Sequence, residues 1–264
     1  MKILICTIMR DVVRHPNWEH TGGSPLEGYF AQAEVLEQCL QQKGHTFRYS
    51  IFENDSMDET PALVQQWLGQ RPGSVLKSMV MGMPRFRSLP AQNTQERIEG
   101  LAAYRNQTLQ AYEGEDWVLF LEADILYRGD TIQYLLAGEH GDIRTPLSFS
   151  HPHDLTSFYD PLSTRDLQGN KYRWSWPPPP NDADMVKCIK GHPIEVSTAF
   201  NCFCLVRGKI IADGVMFSYM DGESEASSFC NDARGRGYRV FVYPSIRYSV
   251  VHPLAQHAWN ESMP

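Results

Sequence analysis

No apolar run in the 264-residue chain approaches the roughly 20 residues of a membrane-spanning helix. Its start, MKILICTIMRD, is too short and too soon charged for a secretory signal, so the expected setting is cytoplasmic. Basic residues are not in excess. The 24 Lys and Arg stand against 31 Asp and Glu, and the formal net charge of -7 removes any general pull toward phosphate backbones or anionic lipid. Only Arg85, Arg87 and the stretch from Arg234 to Arg247 offer material for a local basic patch. The six cysteines (Cys6, Cys39, Cys188, Cys202, Cys204 and Cys230) include no CxxC pair and no zinc-finger spacing, and they read as scattered buried thiols. No internal repeat occurs, and the one low-complexity tract is the run Pro177 to Pro180. What is present is ordinary globular composition, 42% hydrophobic and 21% charged, which excludes a disordered, collagen-like or coiled-coil chain. The length suits one large or two small domains.

Periodicity then orders the chain. KILICTI is a short, continuously apolar run of the kind buried on both faces of a sheet. From Glu27 to Lys43, Phe30, Ala33, Val35, Leu36 and Leu40 recur at helical spacing, and Gly44 stands where a C-cap belongs. HTFRYSIFEND reads as a second strand. A helix from Thr60 to Leu68, a short strand from Ser74 to Val80 and a helix from about Gln95 to Tyr112 precede WVLFLEADIL, whose strand is Trp117 to Leu121. This alternation implies parallel strands with crossover helices, an α/β class whose ligand site lies at the carboxyl ends of the strands. The second half differs. Residues 151–193 read as a long loop, with FNCFCLVR, a helix from about Ser224 to Arg236 closed by Gly237, and two strand-like runs, YRVFVY and IRYSVVH, after it.

The chemistry-bearing motif is Glu122-Ala123-Asp124, directly after the apolar run Trp117 to Leu121. Strand side chains alternate, so the two carboxylates share one side, repel each other, and gain from a divalent cation between them. A metal-dependent nucleotide-sugar enzyme needs such a step: one acid reaches the ion or the ribose, and the other ligates the ion bridging two phosphates. A strand ending in merely solvated acids has the same pattern. In the segment Phe52 to Thr60, Glu53 and Asp58 suit the base and ribose of a nucleotide, while Ser56 or Asp58 equally suit a helix cap. Arg105 falls on the apolar stripe of its helix with Ile98 and Leu109, so its guanidinium must be paired, by a diphosphate, by Glu122 and Asp124, or by an internal salt bridge. Arg97 and Asn106 are weaker candidates for the same pocket. Glu223 and Glu225 begin the late helix, where the dipole favours acids in any case. His252 ends the last strand-like run, as a metal ligand or a solvent-facing ring.

Taken in order, FENDSMDET, RIEGLAAYRNQTL, WVLFLEADILY, SFYDPLSTRDLQGNKY and ESEASSFCNDARGRGYRVFVYPSIRYSVVH resemble the fungal capsule-associated α-1,3-mannosyltransferases. The second, third and last segments are also similar to the yeast α-mannosyltransferases of cell-wall mannan. The resemblance runs from about Lys2 to His252. It implies one GT-A glycosyltransferase domain over 1–264, a Rossmann-type, mostly parallel sheet with flanking helices, a nucleotide-sugar half at 1–130 and an acceptor and catalytic half at 131–264. It implies a GDP- or UDP-linked sugar donor, Mn²⁺ or Mg²⁺, and retention of configuration. Residue by residue, it implies Glu122, Asp124 and His252 at the metal, and Thr7, Arg10, Glu53, Asp58, Arg97, Arg105, Asn106 and Glu122 at the donor. Glu223, Glu225 and Asp160 fall at the reaction centre, and Tyr159, Arg165, Asp166, Trp174 and Trp176 on the acceptor side. The family's usual Asp at the first acidic position is Glu122 here, and its N-terminal membrane anchor has no counterpart in this sequence.

The acceptor follows only in class: a hydroxyl on a glycan, a lipid-linked sugar, a small molecule or, against the net charge, a hydroxylated base in DNA. A sugar nucleotidyltransferase is the competing enzyme, but it calls for a Gly-rich phosphate loop after the first strand, where this chain has CTIMRDVVRHP. A binding module that lost its chemistry is the other reading, opposed by the joint presence of Glu122, Asp124, Glu225 and His252.

Overall fold

The computed structural model describes residues 1–13, 24–82, 95–151, 154–158, 164–170 and 190–251, with backbone alone for 150, 151 and 154–158. Strand β1 (Lys2–Met9) is sealed on both faces, with Ile3, Leu4 and Ile5 wholly buried. Helix α1 (Pro25–Gln42) starts at a capping box: Ser24 Oγ accepts from the Glu27 amide at 3.1 Å while Glu27 accepts from the Ser24 amide, with Pro25 at the first position. It ends where Gly44 takes φ +68°, a backbone state open to glycine. Then follow β2 (Thr46–Asn54), α2 (Thr60–Leu68), β3 (Val75–Met79), α3 (Gln95–Leu109), β4 (Trp117–Leu121) and α4 (Thr131–Leu136). The later half supplies β5 (Ile143–Pro146), β6 (Ser148–His151), β7 (Asp154–Phe158), β8 (Ile194–Val196) and β9 (Phe203–Arg207). It closes with α5 (Gly208–Ala212), α6 (Glu225–Gly235), β10 (Val240–Tyr243), a 3₁₀ turn (Ile246–Tyr248) and β11 (Val250–Val251).

Eight strands form one sheet in the order β3-β2-β1-β4-β9-β5-β10-β8. Strands β3, β2, β1 and β4 are parallel, as are β5 and β10, while β9 runs against β4 and β5, and β8 against β10. The sheet is therefore mostly parallel and draws on both halves of the sequence. Strand alternation divides the core: Ile3, Ile5, Leu119 and Leu121 pack under α1, α2 and α4, and Leu4, Cys6, Val118 and Phe120 pack on the opposite face with residues of α3, α5 and α6.

Two sequence expectations change. Within IRYSVVH, Ile246–Tyr248 is a 3₁₀ turn, closed by the Ser249 amide and hydroxyl donating to Ile246 O, and the strand pairing described begins only at Val250 and Val251. Residues 151–193 begin inside a small sheet of order β11-β6-β7, where residues 150–158 give no long hydrophobic run to read. The strand before the acids runs from Trp117 to Leu121 as expected, and the chain then turns at Ala123 and Asp124. Among the described residues, no helix is long and apolar enough to cross a membrane.

Candidate active site

The parallel strands β3, β2, β1 and β4 deliver their carboxyl ends to one edge, with Met9 opposite Glu53 and Cys6 opposite Phe120. The acidic turn lies there. Leu121, Ala123 and Ile125 are buried in the core, and Glu122 and Asp124 between them are half-exposed, so the expected alternation survives although the strand has ended. The Glu122 amide donates to the Cys202 carbonyl at 3.0 Å, which ties the turn to the entry of β9. That entry is tightly built: Asn201 and Cys202 both have positive φ, and the buried Asn201 amide donates to Pro146 O at 2.7 Å while accepting from Thr164 Oγ1.

Arg105, on α3, is 7% exposed and bridges two acids. Its Nη2 donates to Glu122 Oε1 at 2.9 Å and its Nε to Glu225 Oε1 at 3.1 Å. The guanidinium carbon lies 5.2 Å from the Phe200 ring centre and 5.7 Å from that of Phe217. Burial by itself would lower the Arg105 pKa, but Glu225 and then Glu122 hold it above the ordinary arginine value. Glu225 opens α6, whose cap, Ser224, accepts from the Ser227 amide at 3.1 Å. The guanidinium that the sequence required to be paired thus has two internal carboxylates, of which spacing along the chain pointed only to Glu122. One residue on, the Asn106 amide donates to Phe217 O at 2.8 Å and accepts from Phe217 N at 3.0 Å. It fixes the aromatic wall behind Arg105, where Phe217 stacks on Phe229.

The nucleotide-side candidates sit at the ends of β1 and β2. Glu53 is 1% exposed and turned inward, accepting from the Ser56 amide at 2.9 Å and from the Ser78 hydroxyl. Asp58 does not cap α2 at the Ncap position, which is Glu59; it accepts from the Thr60 amide and, through Oδ2, from the Val13 amide at 3.0 Å. Ser56 accepts from the Asp11 amide, and Asp11 accepts from the Met57 amide at 2.7 Å. The loops after β1 and β2 are therefore laced together. Asp11 and Asp55, one in each loop, take positive φ, a state that aspartate tolerates better than most residues. Thr7 is buried with its hydroxyl 2.9 Å from the Tyr29 hydroxyl; Arg10 is half-buried, 4.0 Å from Asp11; Arg97 is half-buried early in α3.

On the other side, Arg165 forms an ion pair with Glu223 at 3.0 Å and bridges Thr198 through the backbone. Asp166 folds its own turn by accepting from the Gln168 and Asn170 amides and the Asn170 side chain. Burial opposes its charge, but those donors outweigh it and hold its pKa below the usual aspartate value. Tyr159, Asp160, Trp174, Trp176 and His252 lie outside the described residues, as do Arg85 and Arg87. Three of the cations expected to form a basic patch are matched locally: Arg236 with Asp232, Arg239 with Glu195 and Arg247 with Asp130.

Glu122 and Asp124 offer the hard carboxylate oxygens that Mn²⁺ and Mg²⁺ accept. Among the described residues, no group of three or more His, Cys, Asp or Glu side chains forms a metal cage. Their chemistry suits a divalent ion, which would need oxygen or nitrogen ligands beyond these two side chains to complete its shell. Leu126 and Val251 exchange backbone hydrogen bonds of 2.7 and 2.8 Å just beyond Asp124. Sequence reasoning missed Gln32, Asp11, Asp55, Phe200 and Cys202. The only local signal among them is the turn-forming character of the two aspartates.

Residues 33–233 match the sequence profile of the family described as cryptococcal mannosyltransferase 1, well over half of the chain. No curated protein matches the sequence significantly. Among solved structures, the mannosyltransferase PcManGT from Pyrobaculum calidifontis, in complex with GDP-Man and Mn²⁺, has a TM-score of 0.55 at 13% identity, over 97% of this chain and 59% of its own. GalNAc-T7 with UDP, GalNAc and Mn²⁺ has a TM-score of 0.53 at 10% identity, over 95% of this chain and 43% of its own. This chain thus spans less than two thirds of the length of either, and identities this low establish likeness of fold. An eight-stranded, mostly parallel sheet with an acidic turn at its carboxyl edge and a profile match over residues 33–233 place the chain in the cryptococcal mannosyltransferase 1 family, with a GT-A glycosyltransferase fold.

Proposed function

We propose that this chain moves a hexosyl unit, mannose first among the candidates, from a nucleotide-diphosphate sugar to an acceptor hydroxyl with retention, using Mn²⁺ or Mg²⁺. The observation that carries the reading is the acidic turn after β4, with Glu122 held by Arg105 and Asp124 beside it, in a chain of this family. GDP-mannose is the preferred donor and a UDP-sugar the alternative, since the two relatives hold GDP-Man and UDP.

Asp124, His252 and Glu122, the last directly or through water, are the residues that would hold the ion with the diphosphate. Bound there, the ion offsets the charge that develops on the departing diphosphate. Glu122 is oriented by Arg105, and Arg105 by Glu225, so the three side chains enter the reaction with geometry already set. In a retaining transfer the acceptor hydroxyl approaches on the leaving group's face, and the departing phosphate oxygen takes its proton. Glu225 or Asp160 then serves to stabilise positive charge on the sugar and to orient the acceptor. Thr7, Arg10, Glu53, Asp58 and Arg97 belong to the donor side in this proposal, several of them by building the loops that face it. Tyr159, Arg165, Asp166, Trp174 and Trp176 belong to the acceptor side with Glu223.

The acceptor is a glycan or another small hydroxyl compound. Pairing of Arg236, Arg239 and Arg247 with local acids makes a nucleic-acid acceptor the less favoured choice. The chain works as one unit, with the donor half in 1–130 and the acceptor half in 131–264. A cytoplasmic setting is part of the same proposal, in keeping with the free thiols of Cys6, Cys39, Cys202, Cys204 and Cys230.

A thermal-shift panel of GDP- and UDP-sugars tests the reading. GDP-mannose with Mn²⁺ at about 100 times its Kd should stabilise the protein by ~2.7 kcal/mol. Asp124→Ala should keep the native circular dichroism and lose both the shift and sugar transfer. A shift that needs no Mn²⁺, or that survives in Asp124→Ala, defeats the assignment.

A further inference from the structure

We infer that Gln32, remote in sequence from every motif above, is a positioning residue that sets the conformation of the acidic turn. Gln32 lies on α1, half-buried, and its side-chain amide reaches across to the segment just after Asp124. Its Nε2 donates to Gly28 O at 3.1 Å and to Ile125 O at 3.1 Å, and its Oε1 accepts from the Tyr127 amide at 2.6 Å. Two carbonyls on the nitrogen and one N–H on the oxygen leave one amide orientation that satisfies all three bonds.

Between those contacts Leu126 faces the other way. Its amide donates to Val251 O at 2.7 Å, and its carbonyl accepts from Val251 N at 2.8 Å. Ile125, Leu126 and Tyr127 are therefore bonded alternately on two sides, as a central strand is, although this segment lies beyond the end of β4. On one side the neighbour is β11. On the other it is a single glutamine standing in for a strand. Burial of Ala123 and Ile125 sets how deep the turn sits, but apolar contacts are non-directional and do not fix its rotation. Hydrogen bonds do, and those bonds fix the two peptides on either side of Leu126, which begin one residue beyond Asp124.

The role rests on the metal reading above, and the experiment separates the two. Gln32→Glu keeps the shape and the acceptor for Tyr127 but loses both donors and sets a carboxylate oxygen against Ile125 O. Gln32→Met removes all three bonds. Gln133→Ala is the control: it cuts one comparable side-chain bond on the same side of the sheet, from Nε2 to Cys39 O at 3.1 Å, and touches no residue of the segment 122–127.

Mn²⁺ binding is read from the free-ion paramagnetic resonance signal with GDP present, and amide hydrogen exchange of residues 122–127 is read without metal. Both Gln32 variants should weaken Mn²⁺ binding by about 10–100-fold, the usual effect of removing a group that orients a metal ligand. They should also speed exchange at the Glu122 amide, whose own bond to Cys202 O neither variant touches. Gln133→Ala should leave both readouts within about twofold of wild type. Exchange at Glu122 unchanged in Gln32→Glu overturns the inference, as does an equal loss of Mn²⁺ in the control. Wild-type protein that takes up no Mn²⁺ defeats the metal reading alone, because the exchange measurement needs no ion.

Discussion

Replacing Arg105 by methionine is the sharpest test of how the site is held. The guanidinium is 7% exposed and separates two carboxylates, Glu122 at 2.9 Å and Glu225 at 3.1 Å, of which Glu225 is only 6% exposed. The methionine side chain would match the aliphatic stem against Phe200 and Phe217 but leave Glu225 buried without its cation. Breaking a buried pair from one side costs about 3–5 kcal/mol, because the remaining charge stays desolvated. In a chain of this size each kcal/mol moves the melting temperature by roughly 2–4 °C, so Arg105→Met should melt about 6–20 °C lower. Glu225→Gln keeps an oxygen that accepts from Arg105 Nε and exchanges a charge-assisted bond for a neutral one, at a cost of about 1 kcal/mol. The decisive comparison is the double variant. With no buried charge left unpaired, Arg105→Met with Glu225→Gln should melt above Arg105→Met alone. Scanning calorimetry of the four proteins reads the coupling. A double variant whose loss equals the sum of the two singles would refute the bridging account.

Two further outcomes follow from the packing and charges. Glu115 is driven upward in pKa by burial, but the Glu113 amide at 2.8 Å and Arg48 outweigh this and leave it below the usual glutamate value. The ionised form therefore favours the fold above an unfolded pKa of about 4.3, and that contribution fades as pH falls through the lower folded value. The urea midpoints of wild type and Glu115→Gln should differ at pH 7 and converge in acid, whereas a constant gap would contradict the sign. Asn106→Ala removes two bonds to the Phe217 backbone and should cost about 1–3 kcal/mol by denaturant titration, and a loss under about 0.5 kcal/mol, well below the cost of leaving buried backbone groups unsatisfied, would count against it.

Much of the first half of the fold was legible because its code is local. The α1 helix is announced by apolar spacing and by Gly44, and α2 falls where Thr60 to Leu68 was read. The helix that became α6 has Ser224 before it and Gly237 beyond it, at φ +91°. The acidic pair was found because a buried strand runs into it. Less could be read where pairing is non-local. FNCFCLVR looks like any apolar strand, and nothing in it says that β9 enters the sheet against β4 and β5. The short strands β6, β8 and β11 are too brief for a period to register. Asn106 and Glu53 carry the residue types of a donor pocket, and the structure engages both with the protein's own backbone or hydroxyls.

The sequence by itself determined the order and type of most elements, the class of sheet, and the placing of two acids at its carboxyl edge, since caps, apolar periods and strand alternation act over a few residues. Tertiary structure alone decided the partners. Arg105 meets Glu225 across 120 positions and Gln32 meets Ile125 across 93, and such pairings depend on how separate elements pack, a property that no local spacing encodes.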